Sequence, residues 1–155
     1  MVASAILRQG EREPEIMRDA VKIARWLAAA APRLDVELAN LLRSSARSLS
    51  VAGEHERALA DTEESLRICR RGLSTGRFRY RVGLAKSLYM QADILDNLER
   101  YPEAAAAAHE AVELSRTGVG EEPRRFGPVL LASLDILARA FSALGESQQD
   151  TAEGL

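Results

Sequence analysis

Residues 33–74 read RLDVELANLLRSSARSLSVAGEHERALADTEESLRICRRGLS, and residues 79–120 read RYRVGLAKSLYMQADILDNLERYPEAAAAAHEAVELSRTGVG. Laid over one another at an offset of 46, without a gap, they agree at 12 of 42 positions. Val36/Val82, Leu38/Leu84, Leu42/Leu88, Ala46/Ala92, Leu49/Leu95, Ala58/Ala104, Glu64/Glu110, Arg70/Arg116 and Gly72/Gly118 are among them. Arg125, Leu130, Ser133, Leu134, Ala138 and Leu144 extend the match into a third, incomplete copy. Ala20, Val21 and Arg25 match Ala111, Val112 and Arg116, the second half of a preceding copy. An internal repeat of this length makes one supersecondary unit per copy.

Each copy reads as two helices. Leu38, Leu42, Ala46, Leu49 and Ala52 step by three or four residues, the spacing of one helical face. Gly53 interrupts, and Leu59, Thr62, Leu66, Cys69 and Leu73 then step likewise until Gly72 and Gly76. In the second copy the faces are Leu84, Leu88, Ala92, Leu95 and Leu98, then Ala105, Ala108, Val112 and Ser115, with Pro102 in a first turn. A last helix is expected over 129–144, with Pro128 near its start. Ala46, Ala92 and Ala138 recur at one depth, as do Ala58 and Ala104. Short side chains there let two helices approach, while Leu42/Leu88/Leu134 and Leu49/Leu95/Phe141 fill the space around them.

The large–small–large order of Leu42, Ala46 and Leu49, followed by Gly53 and Ala58, resembles the tetratricopeptide repeat. Leu88, Ala92, Leu95, Glu99 and Ala104 repeat it with Glu in place of the turn Gly, and Leu134, Ala138, Phe141 and Gly145 begin it again. The 46-residue period is similar to the long-repeat variant of kinesin light chains and bacterial signalling ATPases. The resemblance implies an all-α, right-handed superhelical array of antiparallel helix pairs over 1–145. It divides into a partial copy 1–32, copies 33–78 and 79–124, and a partial copy 125–145, followed by a polar tail 146–155. Leu stands throughout where the family carries a first-helix Trp.

Composition agrees with an all-α chain. Ala and Leu dominate, aromatic residues make up 5%, and Gly and Pro together number 15. The usual strand formers are scarce. A net charge of −2 gives no global pull toward nucleic acid or anionic membrane. One cysteine, Cys69, excludes an internal disulfide. No run approaches 18 apolar residues, so no membrane-crossing helix is expected, and the cytoplasm is the expected compartment.

Enzymatic signatures are missing. There is no phosphate-cradling GxxxxGK, and Gly118-Val119-Gly120 is too short for a dinucleotide loop. A zinc peptidase helix places a second His four residues after the first; after His55 and His109 those positions hold Leu59 and Glu113. Glu63-Glu64 and Glu121-Glu122 are adjacent in sequence and diverge on a helix. Neither catalysis, nor a metal, nor a cofactor is expected.

A repeat array offers a surface instead. In the family the concave side is lined by first helices, which implies Asn40, Arg43, Arg47, Lys86, Tyr89, Asp93, Asp96, Asn97, Asp135 and Arg139 here, with Ser50 and Ser142 beside them. The role expected is a non-catalytic protein or peptide interaction module, a scaffold or sensor segment of a signalling or regulatory protein. Repeat-equivalent Arg47, Asp93 and Arg139 should form a plus–minus–plus row. The alternative is a nucleic-acid accessory surface in 67–86, where seven cations (Arg67 to Lys86) face no acid from Ser65 to Ala92. Tyr80 and Phe126 in this frame replace Leu34, an apolar cap of the helix pair. Terminal repeats need capping, and the last helix carries more apolar residues than one neighbouring pair covers. Leu137, Phe141 and Leu144, with Trp26 near the other end, are therefore the candidates for self-association into a homo-oligomer.

Overall fold

The computed structural model describes the backbone of residues 2–74, 76 and 78–153, and the side chains of 15–74, 76 and 78–145. Six α-helices follow one another: α1 (Val2–Ala30), α2 (Asp35–Val51), α3 (His55–Leu73), α4 (Phe78–Asn97), α5 (Tyr101–Val119) and α6 (Pro123–Glu153). A 3-10 turn, Pro32–Leu34, joins α1 to α2, and no strand occurs among the described residues. Acidic residues open several helices (Asp35 and Glu37 in α2, Glu56 in α3, Glu103 in α5) and Arg70, Arg71 and Arg116 close α3 and α5. Both placements suit the helix dipole.

The two intra-pair turns are built alike. Glu54 N–H donates to the Leu49 carbonyl at 2.8 Å, and Arg100 N–H to the Leu95 carbonyl at 2.9 Å. Each turn needs one left-handed residue: Gly53 at φ 79° and Glu99 at φ 59°. Glycine adopts that conformation freely, whereas a side chain there costs about 1–2 kcal/mol. Glu99→Gly is expected to raise stability by about 1 kcal/mol, seen as a higher urea midpoint with an unchanged slope.

Every helix packs on the next one in the chain, and on one side α4 also touches both α2 and α6. Ion pairs link the odd helices, Arg25 to Glu64 at 2.5 Å and Arg70 to Glu110 at 3.1 Å. The small residues at the repeat depth are fully buried: Ala46, Ala58, Ala92 and Ala104 all have 0% exposure. Gly72 and Gly118 are the next-to-last residues of α3 and α5, and past the end of α3 Gly76 takes the left-handed conformation at φ 69°. A Cβ on Gly72 would stand 2.2 Å from the Tyr80 ring, and one on Gly118 2.5 Å from the Phe126 ring. Tyr80 and Phe126 thus close each junction by lying on a glycine of the preceding helix.

The last copy departs from the expected packing. α6 begins at Pro123, carries Pro128 inside it and continues through Gly145 to Glu153, so no tail separates at 146. Its buried face is Phe126, Val129, Ser133, Ile136 and Ala140. Leu134, Ala138 and Phe141, placed in the core by the repeat frame, are exposed. The reason is topological. Their counterparts Leu88, Ala92 and Leu95 are covered by α5, whereas among the described residues no helix covers this face of α6. Leu137 instead packs within its own chain against Ala140 and Ile136, and Leu144 is half-buried. Trp26 is exposed. The segment Pro123–Gly145, with hydropathy 1.4, is long and apolar enough to cross a bilayer by composition, contrary to expectation. Its apolar residues are divided between a packed face and an uncovered one.

Candidate functional site

α2, α4 and α6 together line an open cleft of about 630 Å³, with Met17 of α1 at its rim. Its polar residues are Asn40, Arg43, Ser44, Arg47, Ser48, Lys86 and Tyr89; Met90, Pro128, Val129 and Ala132 form an apolar floor. Among the described residues, three cations and no carboxylate line it. None of the ion pairs within 4 Å among the described residues involves Arg43, Arg47 or Lys86.

Arg43 is held from behind. Its guanidinium donates to Asn40 Oδ1, one helical turn away, and to the hydroxyls of Ser65 at 3.4 Å and Ser87 at 3.5 Å. Those hydroxyls are 2.8 Å apart, and they also donate to the carbonyls of Ala39 (3.1 Å) and Gly83 (2.9 Å). Burial pushes the Arg43 guanidinium below its ordinary value. Lys86 is also held low, first by burial and then by Arg43, Arg125 and Arg47. Like charges gathered in a partly desolvated cleft raise each other's energy, and an anion placed among them relieves it.

The next repeat lacks this node. Tyr89, Ala111 and Ser133 stand where Arg43, Ser65 and Ser87 do, and the buried Ser133 hydroxyl has no hydrogen-bond partner. Tyr89 contributes a phenol whose pKa is raised by burial and by Asp93. Beyond it the groove turns acidic. Asp93 is half-buried, and burial lifts its carboxyl above the usual range against the pull of Arg139 and Arg47. The row Arg47–Asp93–Arg139 is therefore electrically coupled, but its pairing differs from the expected one. Arg139 reaches Asp96 at 2.5 Å and Asp135 at 3.3 Å, and Asp93 forms no ion pair within 4 Å among the described residues.

Of the ten residues expected on this face, Asn40, Arg43, Arg47, Lys86 and Tyr89 converge on the cleft, and Asp93, Asp96, Asp135 and Arg139 form its acidic end. Asn97, the last residue of α4, is exposed and does not line the cleft. Ser50 lies 3.4 Å from His55 Nδ1 at the α2–α3 turn. Ser44 and Ser48 escaped the sequence reading, although their four-residue steps from Asn40 mark the same helix face. Met17 carried no such signal, because its place depends on where α1 docks.

The basic run 67–86 is partly neutralised. Arg70 pairs with Glu110 at 3.1 Å, Arg71 with Asp35 at 3.0 Å and Arg81 with Glu121 at 3.1 Å. Arg81 also stacks over Phe126 at 5.4 Å and Phe78 at 5.7 Å. Arg77 lies outside the described residues. Cys69 is buried against Gly83, and burial pushes its thiol up, as suits a packing residue. No protein-family model, curated protein or solved structure matches this chain.

Proposed function

We propose that the chain is a non-catalytic protein-interaction module, a tetratricopeptide-like right-handed solenoid whose groove along α2, α4 and α6 receives an acidic segment of a partner protein. The packing order supports the solenoid reading, since helices touch only their chain neighbours and, on one side, the next but one. One observation carries the ligand chemistry: Arg43, Arg47 and Lys86 share a cleft in which the described residues include no carboxylate. The apolar floor and the Tyr89 hydroxyl suit a peptide, with side chains to bury and a backbone to hydrogen-bond. The acidic end at Asp93 and Asp135 sets a polarity, anionic group at one end and cationic or neutral at the other. A scaffold or sensor segment of a cytoplasmic signalling protein fits this arrangement. A nucleic-acid surface at 67–86 is less favoured, because three of its arginines already hold carboxylates.

Hexaglutamate is the probe for the test, with hexalysine and duplex DNA as comparisons in calorimetry across a salt series. Hexaglutamate is expected to bind, with Arg47→Glu and Lys86→Glu each weakening it at least tenfold, about 1.4 kcal/mol. Both positions are exposed, so the fold should survive, as circular dichroism will report. Binding that is unchanged in both variants, or DNA binding that outweighs hexaglutamate at physiological salt, would contradict the proposal.

A further inference from the structure

The two ends of the molecule are complementary halves of one helix pair. In the repeat frame α1 holds the place of a second helix and α6 that of a first helix. The repeat frame says which face each leaves open. In the α2–α3 pair Leu38 packs with Ile68, and in the α4–α5 pair Leu84 and Leu114 hold those places. The same places in α6 and α1 belong to Leu130 and Ile23. Around them Leu131, Leu134 and Phe141 are exposed on α6, at 71%, 39% and 59%, and Ile16, Ile23 and Leu27 on α1, at 64%, 60% and 40%. Among the described residues no helix covers either stripe, and uncovered apolar stripes of this kind mark docking sites.

Charge adds an independent fit. On the outer side, Arg25 of α1 pairs with Glu64 of α3, and Arg70 of α3 pairs with Glu110 of α5. In the repeat frame Arg25, Arg70 and Arg116 are equivalent, as are Glu64, Glu110 and Asp19. The third rung of this ladder would join Arg116 to Asp19, which stand at opposite ends of one chain. They now hold only local, exposed partners, Glu113 at 3.2 Å and Lys22 at 3.4 Å.

We infer that copies of this chain stack head to tail, α1 of one copy seating on α6 of the next and Asp19 meeting Arg116 across the joint. Such an interface joins two different surfaces, so it propagates as an open series or closes as a ring. It stands apart from the ligand proposed for the groove, and its test needs no ligand.

Sedimentation velocity of the full chain is expected to show oligomers that grow with concentration. Ile23→Glu and Phe141→Glu, both at exposed positions, should each give folded monomers. Mixing them should give a one-to-one heterodimer and nothing larger, because each variant keeps the face that the other has lost. Asp19→Arg and Arg116→Asp should each weaken assembly a few-fold, as befits an exposed pair, and restore it when combined in one chain. A wild-type monomer at high concentration would overturn the inference. So would persistent self-association of Ile23→Glu with Phe141→Glu monomeric, which is the signature of a symmetric α6–α6 dimer.

Discussion

Phe126→Ala is expected to cost about 3–5 kcal/mol of unfolding free energy. The ring is wholly buried, lies on Gly118 and meets Phe78 edge-on with centroids 5.8 Å apart. It thus ties the start of α6 to the end of α5 and the start of α4. Against a total stability of about 5–15 kcal/mol, the loss would be large. Its location should also be legible. Because α6 touches only α4 and α5, the damage should open α6 before it reaches α2 and α3. Urea unfolding checks the magnitude, and amide exchange checks the place: faster in 126–145, nearly unchanged in 38–49. A cost below about 1 kcal/mol, typical of an average substitution, would mean that the aromatic does not close the junction.

Gly72→Ala and Gly127→Ala should move stability in opposite directions. Both glycines are inside helices, where Ala is favoured by about 1 kcal/mol. At Gly127 the new Cβ meets nothing within 4 Å outside its chain neighbours, so a gain is expected, reduced by the ring of Pro128, which crowds a Cβ on the residue before it. At Gly72 it would press into the Tyr80 ring, which is buried and cannot swing away. Overpacking costs about 1–3 kcal/mol or more, and at this overlap the upper end applies, leaving a net loss of about 2 kcal/mol. Thermal unfolding of the two variants reads both signs. Truncating the ring in the double variant Gly72→Ala/Tyr80→Leu should remove the clash and leave a cost smaller than the sum of the two singles.

Much of this was readable because a repeat constrains a face twice over. Ala46 and Ala92, or Ala58 and Ala104, had to be buried alike if the copies fold alike, and they are. The same logic misplaced Leu134, Ala138 and Phe141, since burial depends on a neighbour and the repeat pattern does not record that the neighbour is missing. Gly72 and Gly118 were ambiguous for another reason: a glycine that ends a helix and one that admits a ring look identical in sequence. Only the aromatic eight residues later, Tyr80 or Phe126, resolves the two. In the groove, the periodicity brought Asn40, Arg43 and Arg47 to one face, and Lys86 and Tyr89 beside them. The half-buried state of Arg43 was not legible, because it rests on Ser65 and Ser87 from two other helices. The pairing of Arg139 was a matter of reach: an arginine spans a helical turn, and Asp96 stands one turn beyond Asp93.

We propose that the face shared by α2, α4 and α6 is the binding surface and that its cationic end takes the acidic group. The most direct measurement is a nuclear magnetic resonance titration of the full chain with hexaglutamate, following backbone amides and arginine side chains. The account predicts saturable shifts centred on Arg43, Arg47, Lys86 and Tyr89, fading toward Asp135 and Arg139. Shifts centred on Arg67, Arg70 and Arg79, or none at saturating probe, would contradict it.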